Sequence, residues 1–439
     1  MEEKKAFDIS LNFEKLGIEN LSNGWRRPAP SVPVVLDTLP TTSNILSIHL
    51  LDLVTFNDSG TEGPKQCIAT ATADRRLNLI KPDPSCFSLL RSYTHFQDSP
   101  ILDFTVVNCK YLLTASMSGR LLLYNTEADQ ILDERRDHSK YIVKIAKWST
   151  GLSMLVASAG WDSKLNLYRL EATDDGIAKI GEPVATLGLT SIPETILFIE
   201  SSMVSSPILL LSRRDSTFLY YYSVPPLGVA TSEITLLGKQ NLAPLSNAWV
   251  AFSPSDVQLC PSDPSLVAVA TSTTPHMKLL LVRLLVPPNG PSASNVDDSD
   301  HYASHNTLEP VIDSHNTLSS TVQASQAREN LIMRDREEAA IILSINTLAP
   351  QTAYSTPKLA WRPDGSGVYV SSDDGVIRGF EASTGKLITS LEGHAPGFKI
   401  RCLWAGFVKG DSTDMSTSRP EEWLISGGFD QKLIVWRDV

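Results

Sequence analysis

Several features are missing from this sequence, and each absence removes a class of protein. No run of about 18 apolar residues occurs, so no membrane-spanning helix is expected. The first residues, MEEKKAFDIS, lack the apolar core of a signal peptide. Cysteine is scarce: Cys67, Cys86, Cys109, Cys260 and Cys402 are scattered, odd in number and never spaced C-x-x-C. That pattern fits buried free thiols in a reducing compartment and excludes a disulfide framework or a cysteine zinc site. Excess basic charge is also lacking. The formal net charge is −11, against nucleic-acid backbone as the main ligand. Phosphate-binding loops, dinucleotide fingerprints, nucleophile elbows and H-E-x-x-H are all absent. The expectation is an intracellular protein, cytoplasmic and/or nuclear, with no catalytic residues, cofactor or metal.

What is present is repetition. The segment Glu422–Trp436, EWLISGGFDQKLIVW, reads as two short strands around a tight turn, with β-branched and aromatic residues on the return. Aligned on its turn residue Asp430, the same pattern recurs at Asp74, Ser118, Asp162, Asp215 and Asp374. A seventh hairpin, LVAVATSTTPHMKLLLVRL, lacks the aspartate. Asp74 and Ser118 are 44 residues apart, as are Ser118 and Asp162. A period of about 40–45 residues with four short strands per unit is the signature of a β-propeller blade. The second unit parses as ILDFTVV, KYLLTAS, RLLLYNT and QILDERR, and the third as YIVKIAKW, MLVASAG, KLNLYRL and EPVATLG. The last has only three strands, whereas VPVVL at 32–36 is a spare strand ahead of the first unit. Pairing the two would close the ring and remove its open edges. The predicted fold is all-β: a seven-bladed propeller over 31–439, closed by an N-terminal strand that completes the last blade.

With Gly393-His394, Ser426, Asp430 and Trp436 in the last unit, and His138, Ser158, Asp162 and Tyr168 in the third, the chain resembles the WD-repeat β-propeller family. The resemblance covers roughly 32–439 and is degenerate. His95 precedes the second unit, units four and five have no aligned histidine, and no Trp-Asp dipeptide closes a strand. It implies that these residues are hydrogen-bonded staples within each blade. A His–Asp–Ser set of that kind is expected to be structural, because buried polar groups must find partners. The fold itself hosts many unrelated roles.

The resemblance also implies that d–a and b–c loops share one face, and a–b and c–d loops the other. The b–c turns are short. Insertions at 57–65, 253–264 and 409–420 are read as a–b loops, and a larger one at 287–338 as a c–d insert of the fifth blade, all on one face. The 287–338 insert opens with few apolar residues and is expected to be flexible or to touch a partner. Ser320–Ile342 within it reads as a helix. Residues 1–30 form an arm that packs along the domain or docks on a partner.

The expected function is a non-catalytic scaffold that binds other proteins, a monomeric propeller within a hetero-complex. Its candidate contacts on the compact face are Arg75, Met117, Trp161, Arg213, Arg214 and Phe429, since arginine and aromatic side chains at turns are common anchors. Trp161 and Phe429 could instead pack on the next blade. Two other classes stand beside the scaffold. Arg213 and Arg214 faintly resemble the two-arginine motif of phosphoinositide-binding propellers, which would make the protein a membrane-surface reader. An enzyme could use the central channel, although no cluster of titratable residues or metal ligands repeats on one face.

Overall fold

A computed structural model describes residues 25, 32–54, 65–83, 87–94, 96–150, 153–173, 176–200, 206–225, 233–246, 251–286, 317–408 and 420–437. The strands fall into seven separate antiparallel sheets, one per blade. The innermost strands, called a, are Ile45–Leu53, Ile101–Asn108, Ile142–Thr150, Pro193–Ile199, Pro254–Leu259, Leu359–Trp361 and Ile400–Val408. Each runs against strand b of its own blade, and adjacent a strands touch around a closed ring that bounds the central channel. Blade 3 carries an extra hairpin: Lys164–Thr173 extends past the blade and pairs with Gly176–Lys179 before strand d, Pro183–Gly188.

Ring closure is as the repeat count requires. Val34–Val35 pairs antiparallel with Leu433–Arg437, with Val34 opposite Val435 and Val35 opposite Ile434. The Leu36 amide extends the ladder by donating to Leu433 O at 2.9 Å. Leu36 also buries its side chain among Ile45, Ile68, Trp423, Ile425 and Val435. This strand contributes both to the last sheet and to the seam between the last blade and the first.

The hydrophobic core is divided in the same way. Seven apolar clusters each lie between two neighbouring blades. A β-sheet with both faces covered reads as a continuous apolar run, and strands b and c do: Leu266–Thr271 is buried at every position. Because each face is buried against the next blade, the ring is the unit of stability.

Strand a of blade 5 corrects the sequence reading. Ser253–Pro264 is not a loop. Pro254–Leu259 within it is the inner strand, pairing with Leu266–Thr271. An inner strand turns alternate residues toward the channel, so Asp256 and Gln258 give it a polar, loop-like composition. The predicted helix is present as Thr317–Ala340, and Ile341 already opens strand d of blade 5. Glu337 near its end accepts the Asn241 amide of blade 4 at 2.8 Å. Residues 287–316, and Asp58, Ser412 and Asp298 that would test the one-face placement of insertions, lie outside the described residues.

Of the arm, Trp25 alone is described. Its ring is buried in the seam between blades 6 and 7. It meets Tyr369 edge-on at 5.3 Å and lies 4.8 Å beneath the Arg362 guanidinium, and its amide donates to Glu381. Two glycines make the room: a Cβ on Gly367 or Gly379 would stand 2.4 Å from the indole.

Candidate functional site

The polar residues first suggestive of chemistry are buried inside the blades. His394 places Nδ1 2.9 Å from Asp430 Oδ1 and Nε2 2.7 Å from Ser426 Oγ. His138 makes the same two contacts to Asp162 and Ser158, at 2.9 and 2.7 Å. In both blades the aspartate also accepts the amide that follows the histidine, from Ala395 and Ser139. Burial pushes the Asp162 carboxyl up, yet its hydrogen bonds from His138 and Ser139 hold it below the usual carboxylate range. Burial holds the His394 imidazole below its ordinary value against the pull of Asp430. The aromatic members depart from the pattern. Tyr168 donates to Asp137 at 3.2 Å, and among the described residues the Trp436 indole N–H finds no acceptor, although its ring lies 6.2 Å from that of His394.

Blade 2 shows a staple that the sequence hid. His95 lies outside the described residues. Gln97 is buried and donates from Nε2 to Thr114 Oγ1 at 2.8 Å, the position His138 holds toward Ser158. Ser118 completes it by donating to Asp98.

The face of d–a and b–c turns is stitched by backbone hydrogen bonds. Amides of Met117, Trp161, Arg214 and Phe429 donate to carbonyls of Pro100, Tyr141, Ile192 and Lys399, just ahead of strand a in the same blades. Three of the candidate contacts, Trp161, Arg214 and Phe429, line one cavity of about 300 Å³. Tyr354, Asp373, Lys399 and Arg401, which the turn pattern does not reach, line it too. Trp161 stacks on Tyr141 at 5.3 Å, and Arg214 of the next blade lies 5.5 Å over its ring. Trp161 therefore packs on the neighbouring blade while remaining 37% exposed, and Phe429 is exposed to the same extent. Tyr354 stands 90% exposed.

The other candidates part company here. Arg75 is exposed at a left-handed turn position, with φ 68°, and Met117 is half-buried; neither lines the cavity. Arg213 is not a surface contact. It is 2% exposed, lies 3.9 Å over Tyr220 and donates to Thr190 at 2.6 Å. Adjacent strand residues point to opposite faces, so Arg213 and Arg214 cannot act as a surface pair.

Beneath this cavity lies the channel, and there, contrary to expectation, titratable groups do gather. His49, Asp103, Lys144, Asp256, Lys358 and Arg401 line one space of about 300 Å³. Six of the a strands share a register irregularity after their first residue, and the next paired residues are Ser47, Asp103, Lys144, Thr195, Asp256 and Cys402. Such bulges re-aim side chains, here around the channel. Asp103 and Asp256 reach across to the following a strand and accept the amides of Ile145 and Leu359, at 2.8 and 2.9 Å. Burial pushes the Asp103 carboxyl up, but Lys144 and His49, each at 3.4 Å, hold it well below the usual range. Asp103 in turn raises Lys144. Burial lowers Lys358 and Arg401, and Asp256 at 3.6 Å offsets only part of this for Lys358. Among the described residues no group of His, Cys, Asp and Glu is arranged to hold a metal ion.

A family described as a β-propeller domain matches residues 54–413. The chain belongs to that β-propeller family, in agreement with its seven sheets. No curated protein matches it.

Proposed function

We propose that this propeller is a non-catalytic interaction scaffold that docks a segment of another protein on its d–a and b–c face, as a subunit of an intracellular complex in the cytoplasm and/or nucleus. Its degenerate staples are those of a diverged WD-repeat protein. The observation that carries the reading is the cavity where half-exposed Trp161 and Phe429, exposed Tyr354 and the cations Arg214 and Lys399 converge. Rigid aromatic rings beside cations are the chemistry of binding hot spots. The cations are already oriented: Arg214 donates to Glu194 at 2.6 Å, and Lys399 lies 3.2 Å from Asp373.

The channel cluster is what favours an enzyme instead. Its carboxylates are engaged by backbone amides and lysines. Its one thiol, Cys402, is pushed by burial up to about 12, which makes it a poor nucleophile at neutral pH. The interaction reading is therefore preferred. A membrane role loses its basis with the burial of Arg213.

A photo-crosslinker at Tyr354 tests the proposal in cell extract. The expected result is capture of a small, defined set of proteins, reduced about 30-fold by Trp161→Ala with Phe429→Ala if the rings are hot spots. The same set captured from a crosslinker at Leu387, on an outer strand, would sink the assignment of the face.

A further inference from the structure

Among the described residues that line the channel, cations outnumber carboxylates by one. Lys144, Lys358 and Arg401 supply three cations, whereas Asp103 and Asp256 supply two carboxylates. Both carboxylates are committed, Asp103 to Lys144, His49 and the Ile145 amide, and Asp256 to the Leu359 amide and Lys358. Glu194 is held by Arg214. Among the described residues no carboxylate lies within 4.0 Å of the Arg401 guanidinium, whose Nη1 donates to the Thr356 hydroxyl. Arg401 is half-buried, and Asp256 and Glu194 act on its charge only from a distance; a guanidinium withdrawn from water without a paired carboxylate is costly, and its place explains what it awaits. Arg401 lines both the channel and the surface cavity above it.

We propose that Arg401 is the receptor for a carboxylate carried on a partner's peptide, an aspartate or glutamate side chain inserted from the d–a and b–c face. The planar fork of arginine matches a carboxylate with two parallel hydrogen bonds. Trp161, Tyr354 and Phe429 around the entrance offer apolar surface that a peptide's flanking side chains would cover and a bare anion would not. The proposal rests on the interaction reading for the source of the carboxylate, and on the charge count for its place.

The test uses the full chain with acetyl-Phe-Glu-Phe-amide, its isostere acetyl-Phe-Gln-Phe-amide, acetate and inorganic phosphate, measured by calorimetry and by shifts in melting temperature. The glutamate peptide is expected to bind at least about 10-fold tighter than the glutamine peptide, a gap of about 1.4 kcal/mol. Arg401→Gln should abolish that difference, and Arg401→Lys should restore part of it. Without ligand, Arg401→Gln should melt no lower than wild type, because it removes a half-buried cation that has no ion-pair partner among the described residues. Equal affinity for the two peptides, a glutamate peptide no tighter than acetate or phosphate, or a marked fall in the melting temperature of Arg401→Gln would each overturn the proposal. If capture through Tyr354 remains sensitive to Trp161→Ala yet indifferent to Arg401→Gln, the scaffold stands and this inference falls.

Discussion

Replacing Leu36 by proline removes the amide that donates to Leu433 O at 2.9 Å and most of a buried leucine side chain. A buried carbonyl left without its donor costs about 1–3 kcal/mol, and truncating a buried leucine costs about 2–5 kcal/mol. The sum is capped by the free energy that holds the strand in place, since beyond it the strand simply leaves the sheet. A loss of about 3–5 kcal/mol is therefore expected, a large share of the roughly 5–15 kcal/mol that stabilises a typical domain. Val35→Pro is the control. In an antiparallel pair, amides point at the partner on every second residue, so the Val35 amide points away, and its side chain is 41% exposed. Proline is tolerated on the outer side of an edge strand, so that variant should stay within about 1 kcal/mol of wild type. Urea unfolding midpoints measure both, and amide exchange along Leu433–Arg437 locates the damage. If Val35→Pro is as harmful as Leu36→Pro, the register is wrong. If neither matters, three strands suffice for the last blade.

Three further outcomes are expected. His394→Ala strands Ser426 and Asp430 inside blade 7 and should cost about 2–4 kcal/mol by denaturant titration. Because the folded imidazole has a lowered pKa, the unfolded chain takes up the proton first. The histidine's contribution is complete above about pH 6.5 and is lost as pH falls below it, so this part of the pH slope should vanish in the variant. Gly379→Ala sets a methyl 2.4 Å from Trp25 and should expel the ring. Trp25→Ala should then cost about 3–5 kcal/mol or less alone and almost nothing in the Gly379→Ala background, as a double-mutant cycle will show. Asp103→Ala leaves Lys144 buried without its partner and should cost about 3–5 kcal/mol. Asp103→Asn, which keeps an acceptor for Ile145, should cost less. The Asp103 carboxylate's own contribution should disappear only as pH falls below about 4, where the unfolded side chain protonates.

The blades were legible because each repeats a local rule, apolar strands b and c around a short turn, and four of them add a serine or threonine four residues ahead of the turn position: Thr70, Thr114, Ser158 and Ser426. Closure was legible from counting, since one unit was a strand short and Val34–Leu36 was spare. The inner strand of blade 5 was not, because facing a channel gives Pro254–Leu259 the polar alternation of a loop, and Pro254, Pro261 and Pro264 lie in and just beyond it. Gln97 was hidden for another reason. An amide can make the hydrogen bond of an imidazole, and a search for histidine stops at His95. The site was legible only in part. Trp161, Arg214 and Phe429 share a turn position that alignment reveals, but alignment cannot say that Arg213 points inward onto Tyr220. The channel charges each come from a different blade, and only the ring brings Asp103, Lys144, Lys358 and Arg401 together.

The pairing of Val35 with Ile434 also sets a timetable for biosynthesis. The two residues are about 400 positions apart, and at roughly 5–20 residues per second a ribosome needs about 20–80 s to make the second after the first. Throughout that interval the early blades exist without their seal, and Val34–Leu36 waits with nothing to pair against. Any blades that form before Leu433–Arg437 emerges make an open arc with unpaired edges, and anything that shields those edges has to act before then.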